Sequence, residues 1–331
     1  MRSEIVARVE KAIAEKVFPG CIVGIVRSDG TREVLPFGRF MYEPEAPAVR
    51  EYTVYDLASI TKSIPTASLA LNFLQKGKFE LSDSVKKYIP ELQNDYGATV
   101  EDLLAYRVHG VRMSELKDQT PEEISDYIFA HGFDAPPGES EYTNLPAFLL
   151  GVVLERYFGD PLDDIAEGHF FMPLGMKDTH FCAADKSRCA PTEIDGTGEV
   201  RGIVHDESAR VFAKTSQAVG HAGLFSTAPD ILHFLEALLR GKYENIIEGA
   251  QRGLGWQRNQ PWFMGTRLSE HTFGKTGFTG TSVVVDIERG IAFTILSNRT
   301  YPQRPPDAAS IHAAINPVRA DVADIILSAQ G

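Results

Sequence analysis

The distribution of apolar and polar positions divides the chain into two ends with strand character and a middle with helical character. Runs with strand character occur at residues 21–26 and 33–40, and again at 264–272, 282–287 and 291–297. Amphipathic helices are predicted outside them, at residues 1–18 and 317–329. Because strands lie near both termini, we predict one mixed lobe built from residues 1–58 and 251–331, with a mainly helical lobe at 59–250 inserted between its halves.

Helical spacing of apolar residues dominates the middle of the chain. It favours helices at residues 100–106, 121–129, 145–158, 161–171 and 228–241. An apolar run from Ser59 to about Gln75 predicts a further helix, which Pro65 should kink or delay because proline lacks a backbone donor. Residues 183–219 show no clear period, so we predict a long loop there, of a kind that is often functional.

Composition and charge restrict the classes of function. The 331 residues carry a formal net charge of -12, which argues against a general nucleic-acid or membrane-surface binder. No apolar run approaches the roughly 18 residues of a membrane span. The N-terminal segment lacks the features of a signal peptide, so we expect a cytoplasmic protein. The three cysteines (Cys21, Cys182 and Cys189) form no zinc-binding pattern, and a Cys182–Cys189 disulfide is left open.

The sequence Ser59-Ile60-Thr61-Lys62 is the first candidate for chemistry. Residues three apart share a face of a helix, so an amine would lie within reach of a hydroxyl at a helix N-terminus, where developing negative charge is favoured. A serine with a basic neighbour is a candidate acyl-enzyme nucleophile. The same spacing recurs at Ser84/Lys87 and at Ser114/Lys117, but those copies lie in polar stretches that we interpret as solvated surface.

Two further short motifs are weak alone. Tyr142-Thr143-Asn144 precedes the apolar helix at 145–158, and a tyrosine on a loop is usually a packing residue. Lys275-Thr276-Gly277 occurs just before a predicted strand. A P-loop is excluded there, because Ser269 stands where its first glycine belongs and a strand follows where a helix is needed. The alternatives are a glycine-rich strand edge of structural origin, or an edge where small residues let a substrate approach the backbone.

Taken together, the three motifs resemble the class C β-lactamase family, with its related carboxylesterases and D-alanyl peptidases. Their order and approximate spacing are typical of these penicillin-recognising serine hydrolases. The resemblance implies an α+β fold of the β-lactamase/D-alanyl-peptidase type, with an antiparallel sheet flanked by the terminal helices, a mainly helical lobe, and the active site between them. Other segments typical of the family are YDLAS (55–59), PPGE (136–139), PLGMKDT (173–179), GHAGLFST (220–227) and GLGW (253–256).

The resemblance also implies roles for individual residues. Ser59 would be the acylated nucleophile, Lys62 would help to remove its proton, and Tyr142 would act as general base or proton shuttle. Asn144 would hydrogen-bond the substrate or position Lys62. On the substrate side, Lys275 would set the local field or bind a carboxylate, beside Thr276 and Gly277. The backbone N–H groups of Ser59 and Phe278 would form the oxyanion hole.

The chain departs from the family pattern in two places. Residues 105–110 read Ala-Tyr-Arg-Val-His-Gly, where the family usually has a Thr-His-Thr-Ser-Gly type of sequence, which alters a loop without an assigned role. Phe278 stands where β-lactamases usually have a small residue, and its bulk should narrow the cleft.

Three polar residues are candidates with open alternatives. His205 and Asp206 could fix a loop near the site or contact substrate, and a purely structural histidine is equally compatible with the sequence. Arg299 could contact a substrate carboxylate, but an exposed arginine is the simpler interpretation. His221 is interpreted as a turn residue.

We therefore predict a serine hydrolase that forms an acyl-Ser59 intermediate on a small ester or amide. No cofactor, metal, nucleic acid or membrane partner is expected, and the oligomeric state is left open. A true β-lactamase or D-alanyl carboxypeptidase is the first alternative. The second is a β-lactam sensor that is acylated slowly and does not turn over.

Overall fold

An antiparallel sheet joins the two ends of the chain. The computed structural model describes residues 1–74, 78–183, 185–304 and 313–329. Its strands are β1 (Gly20–Arg27), β2 (Arg32–Gly38), β3 (Tyr55–Asp56), β4 (Glu193–Asp195), β5 (Gly198–Val200), β6 (Phe225–Ser226), β7 (Gln257–Arg258), β8 (Phe273–Thr276), β9 (Ser282–Asp286) and β10 (Ile291–Ser297). Among these residues the main sheet has six strands in the order β2-β1-β10-β9-β8-β7. N-terminal β1 pairs with C-terminal β10, as the strand patterns at both termini predict.

Helices pack on both faces of this sheet and form the rest of the molecule. They are α1 (Arg2–Ala14), α2 (Ser68–Phe73), α3 (Val100–Leu104), α4 (Pro121–His131), α5 (Leu145–Phe158), α6 (Leu162–Ala166), α7 (Met172–Leu174), α8 (Glu207–Ala213), α9 (Ala228–Leu239), α10 (Glu244–Gln251), α11 (Pro261–Met264) and α12 (Ile315–Ser328). Side-chain caps fix several starts: Thr99 begins α3 and Thr120 begins α4, each in a reciprocal capping box. Among the residues that the structure describes, every helix is too short or too polar to span a bilayer.

The sheet is buried on both faces, which explains why β1 is apolar along its length. Successive strand residues point to opposite faces. On one face, Val23 and Ile25 pack in a cluster with residues of α1 and α12. On the other, Ile22 and Val26 belong to a larger cluster that continues through α9 into the helices of the middle segment. The cluster crosses the predicted lobe boundary, and the division into lobes at residues 58 and 250 stays a prediction.

Three predicted elements differ from the structure. Residues 264–272 form no strand, because α11 ends there and the carboxylate of Asp324 accepts the N–H groups of Thr266 and Arg267 in place of a neighbouring strand. The predicted loop at 183–219 contains the β4–β5 hairpin and α8, which Asp206 caps. The helix predicted from Ser59 begins as a 3-10 turn at Ala58–Lys62 and a π turn at Ser63–Ala67, and α2 follows only at Ser68. The delay agrees with the effect predicted for Pro65, and residues 75–77 lie outside the described residues.

Candidate active site

A short turn holds Ser59 and Lys62 on one side of the backbone. The buried carboxylate of Asp56 accepts the N–H of Ala58 at 2.8 Å and the N–H of His205 at 2.7 Å. Ala58 adopts φ of +48°, a left-handed conformation that is unfavourable for a residue with a Cβ. This bend leads into the 3-10 turn, in which Lys62 Nζ lies 3.0 Å from Ser59 Oγ. The nucleophile and amine that the spacing predicts are therefore in direct hydrogen-bond contact.

Lys62 is buried, with only 1% of its surface exposed. Its Nζ donates to Ser59 Oγ and, at 2.7 Å, to the backbone carbonyl of His221. Burial lowers the pKa of Lys62 to about 8, against an opposing influence of the Asp206 carboxylate. With that pKa, about one molecule in ten carries a neutral Lys62 at pH 7, compared with one in a few thousand for a free lysine.

Asp206 is the anion of the site. Its Oδ1 accepts a hydrogen bond from Ser208 Oγ at 2.7 Å and lies 3.5 Å from Nε2 of the buried His221 ring. Its Oδ2 accepts a hydrogen bond from Asn144 Nδ2 at 3.1 Å. Burial alone would raise the pKa of Asp206, but its hydrogen bond with His221 and the nearby Lys62 hold the pKa well below its usual range. Asn144 therefore donates to Asp206, and Asp206 in turn stabilises the charge of Lys62. His221 is more than a turn residue, because its ring lies beside Asp206 and its carbonyl accepts a hydrogen bond from Lys62.

Tyr142 lies over both lysines of the predicted site. Its ring centroid is 5.4 Å from Lys62 Nζ and 4.3 Å from Lys275 Nζ. The side chain is 52% exposed, so the cleft is open on this side. Burial of the hydroxyl raises the pKa of Tyr142, and a hydrogen bond with Ser59 acts in the opposite direction. Because the rise prevails, the phenol keeps its proton near neutral pH.

Lys275, on β8, is buried beside two aromatic rings. Its Nζ lies 4.3 Å from the Tyr142 centroid and 5.1 Å from that of Tyr106. Burial and the neighbouring Lys62 hold the pKa of Lys275 well below its usual range. Tyr106 was not predicted as a site residue. It belongs to the 105–110 loop, and its departure from the family sequence was the signal that could have pointed to it.

The turn after β8 packs directly on residues 56 and 57, which precede Ser59. Thr279 Oγ1 donates to the carbonyl of Asp56 at 2.7 Å, and Thr281 Oγ1 donates to that of Leu57 at 3.0 Å. A Cβ on Gly277 would collide with the Leu57 carbonyl, so this close approach requires glycine. These contacts hold the residues on both sides of Phe278 against residues 56 and 57, which precede Ser59 closely in the chain. Within the described residues, the N–H groups of Phe278 and Ser59 donate to no other protein atom.

His205 and Arg299 support Phe278 rather than Ser59. The buried His205 ring lies 3.0 Å from Glu193 through Nε2 and stacks on the Phe278 ring, with 5.6 Å between centroids. Arg299 is only 8% exposed, so the interpretation as an exposed arginine is wrong. Its Nε donates to the Phe278 carbonyl at 2.8 Å and its guanidinium lies 5.1 Å from the Phe278 centroid, which explains its burial.

The remaining candidates for chemistry are not assembled into a site. Within the part of the chain that the structure describes, no group of three or more His, Cys, Asp or Glu side chains could hold a metal ion. Cys182 and Cys189 are free thiols, so the disulfide left open by the sequence is not formed.

Comparisons with known proteins show the family to which the chain is similar. The family model described as Beta-lactamase matches residues 5–316. An N-acetylmuramyl-L-alanine amidase of Bacillus subtilis (strain 168) is 27% identical, over 86% of this chain and 78% of the relative. The crystal structure of a beta-lactamase/D-alanine carboxypeptidase from Pseudomonas syringae superposes with a TM-score of 0.75 at 19% identity, over 96% of this chain and 97% of that one. EstCE1, a hydrolase with promiscuous acyltransferase activity, gives a TM-score of 0.74 at 19% identity, over 96% and 98%.

Proposed function

The chain belongs to the β-lactamase family and is a serine hydrolase, and from this premise we propose that it forms an acyl-Ser59 intermediate on a small ester or amide. The observation that carries the proposal is the 3.0 Å contact between Lys62 Nζ and Ser59 Oγ, in a site that lowers the pKa of Lys62 to about 8. A buried amine with that pKa is an effective base at neutral pH.

Acylation begins when neutral Lys62 accepts the proton of Ser59. The Oγ then attacks the substrate carbonyl carbon, and the N–H groups of Ser59 and Phe278 stabilise the oxygen that becomes negative. Tyr142 keeps its proton near neutral pH, so it serves as a proton shuttle rather than as the resting base. It gives its proton to the leaving alcohol or amine and is reprotonated by Lys62. In deacylation, water passes a proton through Tyr142 to Lys62 as it attacks the acyl carbon. Lys62 then returns that proton to Ser59 Oγ as the ester bond breaks, which releases the acid and restores the enzyme.

Lys275 affects these reaction steps through its charge and its position. It is buried beside Tyr142, and Lys62 adds to the lowering of its pKa by burial, since two ammonium groups in one desolvated cleft repel each other. A substrate carboxylate would pair with Lys275. Such a contact supports the second candidate function, a β-lactamase or D-alanyl carboxypeptidase, which is also how the Pseudomonas neighbour is described.

The small ester or amide remains our first choice of substrate. Phe278 and Tyr106 place bulky rings at the edge of the cleft, which suits a compact acyl group. The Bacillus relative is named as an amidase, and EstCE1 is a hydrolase that also transfers acyl groups, so both agree with this choice. The cytoplasmic location stays a prediction.

The test combines a substrate panel with intact-mass spectrometry. We expect p-nitrophenyl butyrate to turn over faster than nitrocefin, with an acyl adduct that maps to Ser59 and is lost in Ser59→Ala and Lys62→Ala. Ser114→Ala, in an exposed copy of the same motif, is the matched control and should keep full activity. Faster nitrocefin turnover would favour the β-lactamase, and a stable adduct without turnover would favour the sensor. Full activity of Ser59→Ala would exclude the proposal.

A further inference from the structure

Arg319 is a buried cation that lies directly behind the proposed oxyanion hole. It stands in the first part of α12 and is 1% exposed. Its Nη2 donates to the carbonyls of Gly277 at 3.1 Å and Thr281 at 2.8 Å, and its Nη1 donates to Asn316 Oδ1 at 3.2 Å. These acceptors are neutral, and within the described residues no carboxylate pairs with it. A guanidinium buried without an anion is costly, so a purely structural explanation must show that the fold needs it.

The shape of the turn does not depend on Arg319. Residues 277–281 are already closed by a backbone hydrogen bond from Gly277 N–H to the Thr281 carbonyl at 2.8 Å. Three further hydrogen bonds fix the turn to its surroundings: Thr279 Oγ1 to Asp56, Thr281 Oγ1 to Leu57, and the N–H of Arg299 to Thr279. The two bonds from Arg319 Nη2 therefore add little to the geometry, but they place a positive charge beside the Thr281 carbonyl and beside that of Gly277.

The Gly277 carbonyl belongs to the peptide unit that carries the Phe278 N–H. A hydrogen bond donated to an amide oxygen draws electron density from the nitrogen and makes the N–H a stronger donor, and hydrogen bonds in such chains reinforce one another. We propose that Arg319 is a positioning residue which strengthens the Phe278 N–H as an oxyanion donor through the Gly277 carbonyl. The proposal rests on the acyl-Ser59 mechanism proposed above.

Arg299 provides an internal comparison. Its Nε donates to the carbonyl of Phe278, which belongs to the following peptide unit, and the N–H of that unit is that of Thr279. Both arginines are buried cations beside one turn, but only Arg319 touches the peptide that carries the proposed donor. Removing Arg319 should therefore affect the oxyanion more than removing Arg299.

The strength of the oxyanion hole can be read from the infrared spectrum of the acyl-enzyme. A substrate with a ¹³C-labelled acyl carbonyl isolates that stretch, which moves to higher wavenumber when its hydrogen bonds weaken. We expect Arg319→Met to raise the wavenumber of this stretch and to slow acylation by roughly 10-fold, since the donor is weakened and not removed. Phenylboronic acid, whose Ser59 adduct places an anionic oxygen in the hole, should bind roughly 10-fold more weakly, while KM changes less than about 2-fold.

Control variants separate this effect from packing and from general charge. Val322→Ala removes buried side-chain volume from α12 and should lower Tm without moving the carbonyl stretch. Arg299→Met should move the stretch less than Arg319→Met, and an equal shift would contradict the role of the Gly277 peptide. Arg319→Lys keeps the charge but has no fork to reach both carbonyls, so it should give a smaller shift in the same direction.

Each outcome bears on one of the two proposals. If wild-type protein forms no acyl-Ser59, the mechanism fails. If the acyl-enzyme forms and folded Arg319→Met leaves both the carbonyl stretch and the boronic acid affinity unchanged, the role of Arg319 is overturned. Should Arg319→Met not fold, an unshifted carbonyl stretch in Arg319→Lys overturns it equally.

Discussion

At the scale of single residues, the site depends on basic side chains that are removed from water. Lys62 and Lys275 are each 1% exposed, and both have a lowered pKa because burial disfavours the ammonium form. Asp206 acts against this by stabilising the charge of Lys62. The balance between burial and this one carboxylate sets the pH at which Lys62 becomes neutral.

The acylation rate should follow the neutral fraction of Lys62. We expect the burst of p-nitrophenol from p-nitrophenyl butyrate to rise with pH and to level off above about pH 8, because the pKa of Lys62 is about 8. Stopped-flow measurement of the burst rate between about pH 6 and pH 9.5 gives this rising limb of the pH profile. A burst rate that does not change across this range would show that Lys62 is not the base.

Asp206→Asn should move that limb to lower pH. The substitution removes the negative charge that raises the pKa of Lys62, while the amide can still accept the N–H that begins α8. Asp118→Asn, at an exposed position, is the matched control and should leave the limb where it is. A limb that moves to higher pH in Asp206→Asn would contradict the assignment of Asp206 as the opposing charge.

The sequence allowed part of this site to be predicted. The three motifs are local, and their joint resemblance to the class C β-lactamase family was enough to select Ser59, Lys62, Tyr142 and Lys275, which the structure brings together. Tyr106, the link from Asn144 through Asp206, and the His221 carbonyl depend on which distant loops meet, and no local pattern records that. The burial of Arg299 was missed because its partner is a backbone carbonyl.

At the scale of elements, the site is a junction between two turns. The 3-10 turn at Ala58–Lys62 carries the proposed nucleophile, and the turn after β8 carries the second proposed oxyanion donor. Hydroxyl groups of Thr279 and Thr281 join them by donating to the backbone carbonyls of residues 56 and 57. The relative position of the two backbone donors is therefore set by side chains that take no part in the chemistry.

Thr281→Val should reduce turnover by loosening this junction. Valine has nearly the same shape but cannot donate to Leu57, so that buried carbonyl keeps only the Ile60 N–H as a donor, at a cost of about 0.5–1.5 kcal/mol. We expect kcat to fall by roughly 10-fold or more, with a smaller change in KM. The control is Thr294→Val, which removes a buried donor to Ser282 on the same sheet. It should lower the free energy of unfolding similarly and keep kcat, and equal losses of kcat in both variants would exclude the junction effect.

Helices and strands were predicted correctly where the apolar pattern was long. They were predicted wrongly where hydrogen bonds to distant residues took the place of pairing with a neighbouring strand. Helix α5 and strand β10 have the predicted bounds because their apolar runs are long, and Gly159 marks the end of α5. Residues 264–272 were predicted as a strand, but Pro261 and Gly265 bound a short helix, and Asp324 of α12 satisfies the backbone beyond it. In residues 183–219, short elements such as the β4–β5 hairpin fall below the length at which a period can be recognised.

At the scale of the whole molecule, the charge distribution is divided between surface and interior. The chain has a formal net charge of -12, yet Lys62, Lys275, Arg299 and Arg319 are all buried around one cleft. Burial lowers the pKa of each of them, which means that the folded state disfavours their charged forms. The site thus holds a positive charge that the rest of the fold must stabilise.

Replacing Lys275 by methionine should therefore stabilise the protein while it impairs catalysis. Methionine fills similar space beside the two tyrosine rings and needs no solvation, so we expect the free energy of unfolding to rise by roughly 1–3 kcal/mol at pH 7. Because the folded-state pKa of Lys275 is lowered, the wild-type protein gains stability as the pH rises from that pKa toward the unfolded value near 10.4. The stability advantage of the variant should be full below the folded-state pKa and should shrink between that pKa and the unfolded value.

Urea unfolding at several pH values measures this advantage, with exposed Lys11→Met as the matched control, expected within about 0.5 kcal/mol of wild type. A Lys275→Met protein that is less stable than wild type at pH 7 would show that the ammonium is held by interactions stronger than its desolvation.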